Sequence, residues 1–290
     1  MSFESQLEQF QKEHSLPGLQ QQRARQRLST KLMESKAWHQ ALKKKQGKGQ
    51  TDPALECFNP VLAIHGFIDK GNKDEACWLA FLSIQFGWDN RDLHGTGELI
   101  RRFYGRLGHK DAWLWPLVAQ NPHDVSNWLA DNLAAFRGLY FGNHRKYQTL
   151  RSDSKQAGTG AVIEDFVNWV KKSGCSSPFE ALRQLRLGCD SDEKGFEHIF
   201  TKLKIKQWGR TAKFDFPVLL SHLGLLSVRP AHCYLAGSTG PRKGALLLCT
   251  GDRVGRLTAE VKRTVEQLRA CLGVPAEVME DALCNWQKAI

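Results

Sequence analysis

The stretch 205–245, IKQWGRTAKFDFPVLLSHLGLLSVRPAHCYLAGSTGPRKGA, constrains the fold of this chain more than any other part of it. A basic turn leads into an apolar run, FPVLLSHLGLL, that reads as a buried helix, and a Gly-Ser-Thr-Gly-Pro-Arg-Lys-Gly loop follows. Glycines free backbone N–H groups, Ser238 and Thr239 add hydroxyls, and Arg242 and Lys243 add charge. These are the donors that a phosphodiester accepts. The segment points to nucleic acid.

Charge agrees with that direction. The 41 Lys+Arg against 30 Asp+Glu give a formal charge of +11, a field that attracts polyanions, although a solvated basic surface has the same composition. The 290 residues suffice for one large domain or two modest ones. No apolar run approaches the roughly 20 residues of a membrane span, and the start, MSFESQLEQFQKEHSLPG, lacks the pattern of a signal peptide. A cytoplasmic protein is expected. The eight cysteines show none of the close pairing of a zinc knuckle, so reduced core thiols are expected and no metal is assigned; ligation by separated His and Cys stays open.

The pattern predicts a mainly α chain. Residues 1–50 form a basic N-terminal helical arm that ends in the exposed loop KKKQGKG, and 51–290 form a helical domain, with two lobes near 51–150 and 151–290 around a cleft as one arrangement of it. The helix of the arm, with Arg23, Arg25 and Arg27 beside Leu28 and Leu32, either lies along DNA or docks with its charges to water. The tryptophans Trp78, Trp88, Trp113, Trp115 and Trp128 fit core packing better than base stacking. WDNRDLHGTG is a polar turn before a helix near Glu98. In GNHRKYQ, Asn143, His144, Arg145 and Lys146 follow the Gly142 hinge. They suit a phosphate or base contact, or else a helix C-terminus. AVIEDFVNWVKKSG is an amphipathic helix, and ALLLCT at 245–250 is either a short strand or the end of a buried helix.

IKQWGRTA resembles the helix-hairpin-helix turn of DNA glycosylases, with Gly209 and Arg210 kept and Gln207 where a glycine is expected. Across roughly 60–290 the chain is similar to the alpha-glutamyl/putrescinyl thymine pyrophosphorylase family, through GNHRKYQ, IEDFVNWV, FDFPVLLSHLGLL and YLAGSTGPRKGA. The resemblance implies a multi-helix fold related to helix-hairpin-helix glycosylases and chemistry on modified bases in DNA. Some members are thought to attach amino acids or polyamines to an activated thymine, and an antiphage member excises glucosylated 5-hydroxymethylcytosine to leave abasic sites. Double-stranded DNA carrying modified bases is therefore the expected partner, with no cofactor, membrane or obligate protein partner expected.

The catalytic aspartate of those glycosylases has no counterpart in VRPAHCYL, where Arg229, Pro230 and Ala231 offer no carboxylate. Asp215 is the preferred replacement. Phe214 and Phe216 limit its hydration while Arg210 and Lys213 favour its ionised form, so it is suited to stabilising a cationic sugar; capping of a helix ahead of Pro217 is the alternative. His144 is the candidate proton carrier. Asn143, Arg145, Lys146, Gly209, Arg210, Lys213, Arg242 and Lys243 are expected on DNA, and Ser238, Thr239, Gly240 and His222 on the modified base or its sugar. His222 also reads as a core histidine. The nucleotide must leave the stack to reach such a site.

Overall fold

The computed structural model describes residues 2–44, 51–56, 58–89, 93–109 and 111–290. Among these the chain is helical and holds no strand. The α-helices are α1 (Phe3–Glu13), α2 (Gln22–Lys43), α3 (Pro60–Asp69), α4 (Lys73–Phe86), α5 (Glu98–Tyr104), α6 (Trp115–Gln120), α7 (His123–Asn132), α8 (Thr159–Lys172), α9 (Pro178–Arg186), α10 (Asp192–Lys202), α11 (Arg210–His222), α12 (Gly240–Thr250), α13 (Ala259–Leu272) and α14 (Ala276–Ala289). Local chemistry sets their ends. Asn72, Ser177, Ser191 and Thr258 each accept a hydrogen bond from an N–H of the first turn, satisfying a donor that the helix leaves over. The expected amphipathic helix is α8, and ALLLCT is the second half of α12 rather than a strand. The basic loop at 45–50 and residues 90–92 of the polar turn lie outside the described residues.

The chain divides into two compact units, Met1–Lys43 with Pro230–Ile290, and Lys44–Arg229. This division differs from the expected arm and two lobes, and the reason is apolar. Leu7, Leu28 and Leu32 are buried in one core with Leu268, Leu283 and Trp286. The Trp286 indole donates to Ala24 O at 3.0 Å and the Ser35 hydroxyl to Val278 O at 3.2 Å, tying α2 to α14. Arg25 donates to Leu19 O and Gln20 O, and Arg27 to Ala289 O. Two of the arginines that suggested a DNA-binding face are therefore engaged in holding backbone. In the same unit α12 packs on α14, and a Cβ on Gly244 would come within 2.3 Å of Leu283 O.

The second unit is organised around α4, whose residues 75–83 are all buried. A helix apolar on every face belongs in the middle of a core. Trp78, Trp113 and Trp115 are buried there, and Phe81 stacks on Phe166 at 4.0 Å and on Trp208 at 4.9 Å, so these indoles pack as expected. Glu75 sits in this core. Its carboxylate oxygens accept from the Tyr104 hydroxyl at 2.7 Å and the Trp115 N–H at 2.8 Å, and burial pushes its pKa up to about 7.

Candidate functional site

The site starts at the C-terminal end of α4. Gly87 closes that helix in a left-handed conformation (φ 70°), and the Gly142 N–H donates to Phe86 O at 2.8 Å, drawing the 142–148 segment against it. The approach requires glycine, because a Cβ on Gly142 would lie 1.7 Å from Gly87 O. A single 3-10 turn, Asn143–Arg145, then points Arg145 inward. Its Nε donates to Ile84 O at 2.7 Å, a carbonyl in the last turn of α4 that also accepts from the Gly87 N–H at 3.3 Å, and Nη1 donates to His144 O at 3.0 Å.

The remaining end of that guanidinium, Nη2, lies 3.5 Å from Asp215 Oδ2. The Arg145 side chain is only 2% exposed, whereas that of Asp215 is 36% exposed. Arg145 is thus not on the surface where a phosphate contact placed it. It is an internal cation whose counter-ion reaches solvent, which a residue buried by the C-terminus of α4 is positioned to be.

Asp215 belongs to the second turn of α11, which begins at Arg210 behind the N-cap residue Gly209. The alternative of a cap before Pro217 therefore does not hold: Pro217 lies inside the helix and Asp215 is already helical. Phe214 and Phe216 on either side are buried, which leaves the carboxylate on the outer face between two anchoring rings. Arg210 lies 4.4 Å over the Phe214 ring. Lys213 is half-buried, Lys146 and His144 are exposed, and His222 is buried at the far end of the helix, as a core histidine would be. The Asn143 side chain lies outside the described residues.

The turn before α11 supplies a second seam. Trp208 N–H donates to Ile205 O at 3.0 Å, and Gln207, at the third position of this tight turn, has φ 59°. A glycine was expected at that position, and its conformation is the one glycine adopts most easily. The turn is held by its neighbours: Gln207 O accepts from the Tyr147 hydroxyl and from Gln148 Nε2, both at 3.3 Å. Gln148 Oε1 accepts from Gln85 Nε2 at 3.0 Å, and Gln85 Oε1 accepts from the Trp208 indole at 2.9 Å. This buried relay joins α4, the 142–148 segment and the 205–208 turn, so 143–148 and 205–215 form one site. Sequence reasoning missed the relay itself. Gln148 and Trp208 stand within the motifs GNHRKYQ and IKQWGRTA, whereas nothing near Gln85 marks its part.

The 238–244 segment belongs to the other unit and differs from the expected loop. The helix α12 begins at Gly240, so Arg242 and Lys243 stand in its first turn, exposed. Ser238 is buried. Its hydroxyl donates to Leu235 O at 2.8 Å and accepts from Arg242 N at 3.1 Å, which ties it to the helix start rather than to a sugar. Gly240 is a packing position, where a Cβ would lie 2.3 Å from Cys284 Sγ. Thr239 is exposed.

Fold and site together define an all-helical protein, with no helix among the described residues long and apolar enough to cross a membrane, that presents a guanidinium-braced carboxylate. The family model described as alpha-glutamyl/putrescinyl thymine pyrophosphorylase clade 3 matches residues 23–290, and the chain belongs to that family. No curated protein and no solved structure matches it.

Proposed function

We propose that the chain is a DNA glycosylase that extrudes a hypermodified pyrimidine, with glucosylated 5-hydroxymethylcytosine as the first candidate, and breaks its N-glycosidic bond in defence against phage. The observation that carries this reading is the Arg145–Asp215 pair. A carboxylate held by a buried cation stays ionised and fixed in direction while one side meets solvent. That is the property needed to stabilise the positive charge growing on deoxyribose as the base departs, and to orient the attacking water. Lys146, Arg210 and Lys213 supply cations for the phosphates beside the extruded nucleotide, and the backbone at Gly209 adds N–H donors at the start of α11. His144 exchanges the proton with the leaving base. Arg242 and Lys243 are further cations for DNA phosphates.

Family membership favours a second reading, in which the same carboxylate takes the proton of an incoming amine that displaces pyrophosphate from an activated thymine. One experiment separates the two. Purified protein is incubated with DNA containing cytosine, 5-hydroxymethylcytosine or glucosylated 5-hydroxymethylcytosine, and in a second arm with activated thymine DNA with and without putrescine or glutamate. Mass spectrometry then follows the bases. Free modified base with alkali-labile abasic sites supports the first reading; an amine-dependent mass gain with pyrophosphate release supports the second.

A further inference from the structure

The loop at 251–256, GDRVGR, drew no attention in the sequence, yet it and the first turn of α12 make one surface. The Arg242 guanidinium donates to Gly255 O at 2.7 Å, so the turn grips the loop. Inside the loop, Asp252 N–H donates to the Thr250 hydroxyl at 3.3 Å and Val254 N–H to Asp252 Oδ1 at 3.0 Å, while Arg253 Nη2 donates to Ile290 O at 2.7 Å. The loop is therefore held in one shape. The surface carries Arg242, Lys243, Arg253 and Arg256 against one acid within these two segments, Asp252; Arg242 and Arg253 each also hold a backbone oxygen, which leaves Lys243 and Arg256 as the cations it presents most freely. At its tip Val254 is 78% exposed.

We propose that this surface binds the sugar-phosphate backbone of duplex DNA, the cations on phosphates and Val254 against deoxyribose. A lone exposed valine is ordinary. Set on a fixed loop and ringed by cations, it matches a ligand that alternates anionic groups with apolar sugar faces. The net positive charge of the patch selects the polyanion. The proposal rests on the reading that the substrate is DNA, and it locates a contact away from the reacting base.

The test uses the full chain and a short unmodified duplex labelled for fluorescence anisotropy, across a salt series. Replacing Lys243 and Arg256 together by Ala should lower the slope of log affinity against log salt by about two and weaken binding at least tenfold or so at low salt. Val254→Ser should weaken binding roughly fivefold with the slope unchanged, because it removes apolar contact and no charge. An unchanged slope and affinity in the double variant, or no binding by the parent chain, overturns the proposal. So does a loss confined to vesicles of phosphatidylserine with DNA binding intact, which would make the surface a membrane contact. Base release and amine transfer are assayed in parallel. A parent chain with neither activity but with this salt signature keeps the surface and loses the proposed reaction, whereas an active parent whose double variant binds normally keeps the reaction and loses the surface.

Discussion

Arg145 and Asp215 meet at 3.5 Å with opposite exposures, the cation enclosed and the anion open to solvent. The two sides of the pair should respond differently to mutation. Asp215→Asn keeps a carbonyl oxygen beside the guanidinium and leaves it its bonds to Ile84 O and His144 O, so base release should fall about a hundredfold or more while stability drops less than on loss of the arginine. Arg145→Ala removes those bonds and a large buried side chain, leaving Ile84 O and His144 O without that donor, and should cost about 3 kcal/mol in urea unfolding. Equal loss of stability in both variants would remove the distinction between a working carboxylate and its brace.

Gln207 tests the turn. A side chain at φ 59° costs about 1–2 kcal/mol, while glycine there costs about 0.5–1 kcal/mol in added freedom of the unfolded chain. Gln207→Gly should therefore be neutral or stabilising by about 0.5 kcal/mol, and Gln207→Val destabilising by more than about 1 kcal/mol. Urea denaturation of the two variants checks the order; a destabilised glycine variant would mean that the side chain, and not the backbone, carries the turn.

Glycines should divide by what faces them. Gly244→Ala drives a methyl group toward Leu283 O and should destabilise by about 2–3 kcal/mol, whereas Gly209→Ala meets nothing within 4 Å and should fold normally. Thermal melts of both distinguish a glycine kept for helix contact from one standing at the open start of α11.

Glu75 gives a pH signature. Its carboxyl titrates near pH 7 in the folded chain against 4.5 in the unfolded one. Below pH 4.5 both states hold the proton and its contribution is fully present. As pH rises the unfolded chain ionises first, so stability falls by on the order of 3 kcal/mol until the folded carboxyl ionises too, near pH 7. Glu75→Gln carries no such proton, still accepts from Trp115 N–H and can donate to Tyr104. Its urea midpoints should lose that decline between pH 5 and 8, and curves parallel to the parent would assign the pH dependence to other groups.

Local signals in the sequence were read where local physics decides. The α8 stripe of Val162, Phe166, Val167 and Val170 is amphipathic by itself, and Gly142 was recognisable as a hinge. What needed the folded chain was the inward turn of Arg145. Its destination, Ile84 O, is 61 residues away, and a guanidinium beside His144 and Lys146 reads as surface until that carbonyl is known. The same holds for α12, where Gly240 and Gly244 mimic a phosphate loop because close helix contact and backbone access both call for a missing side chain. Asp215 was singled out from its aromatic neighbours, and its partner was named among the site residues in a different role.

The bond from Trp286 to Ala24 spans 262 residues, and α1 and α2 have their apolar partners in α12–α14. During synthesis the first two helices therefore emerge from the ribosome long before anything can cover them, while the Lys44–Arg229 unit has its whole sequence earlier. The later-folding body encloses the earlier one in the order of the chain. Nascent protein halted before α14 should expose Leu28 and Leu32 to chaperones and proteases, although the carboxylate centre could already be assembled.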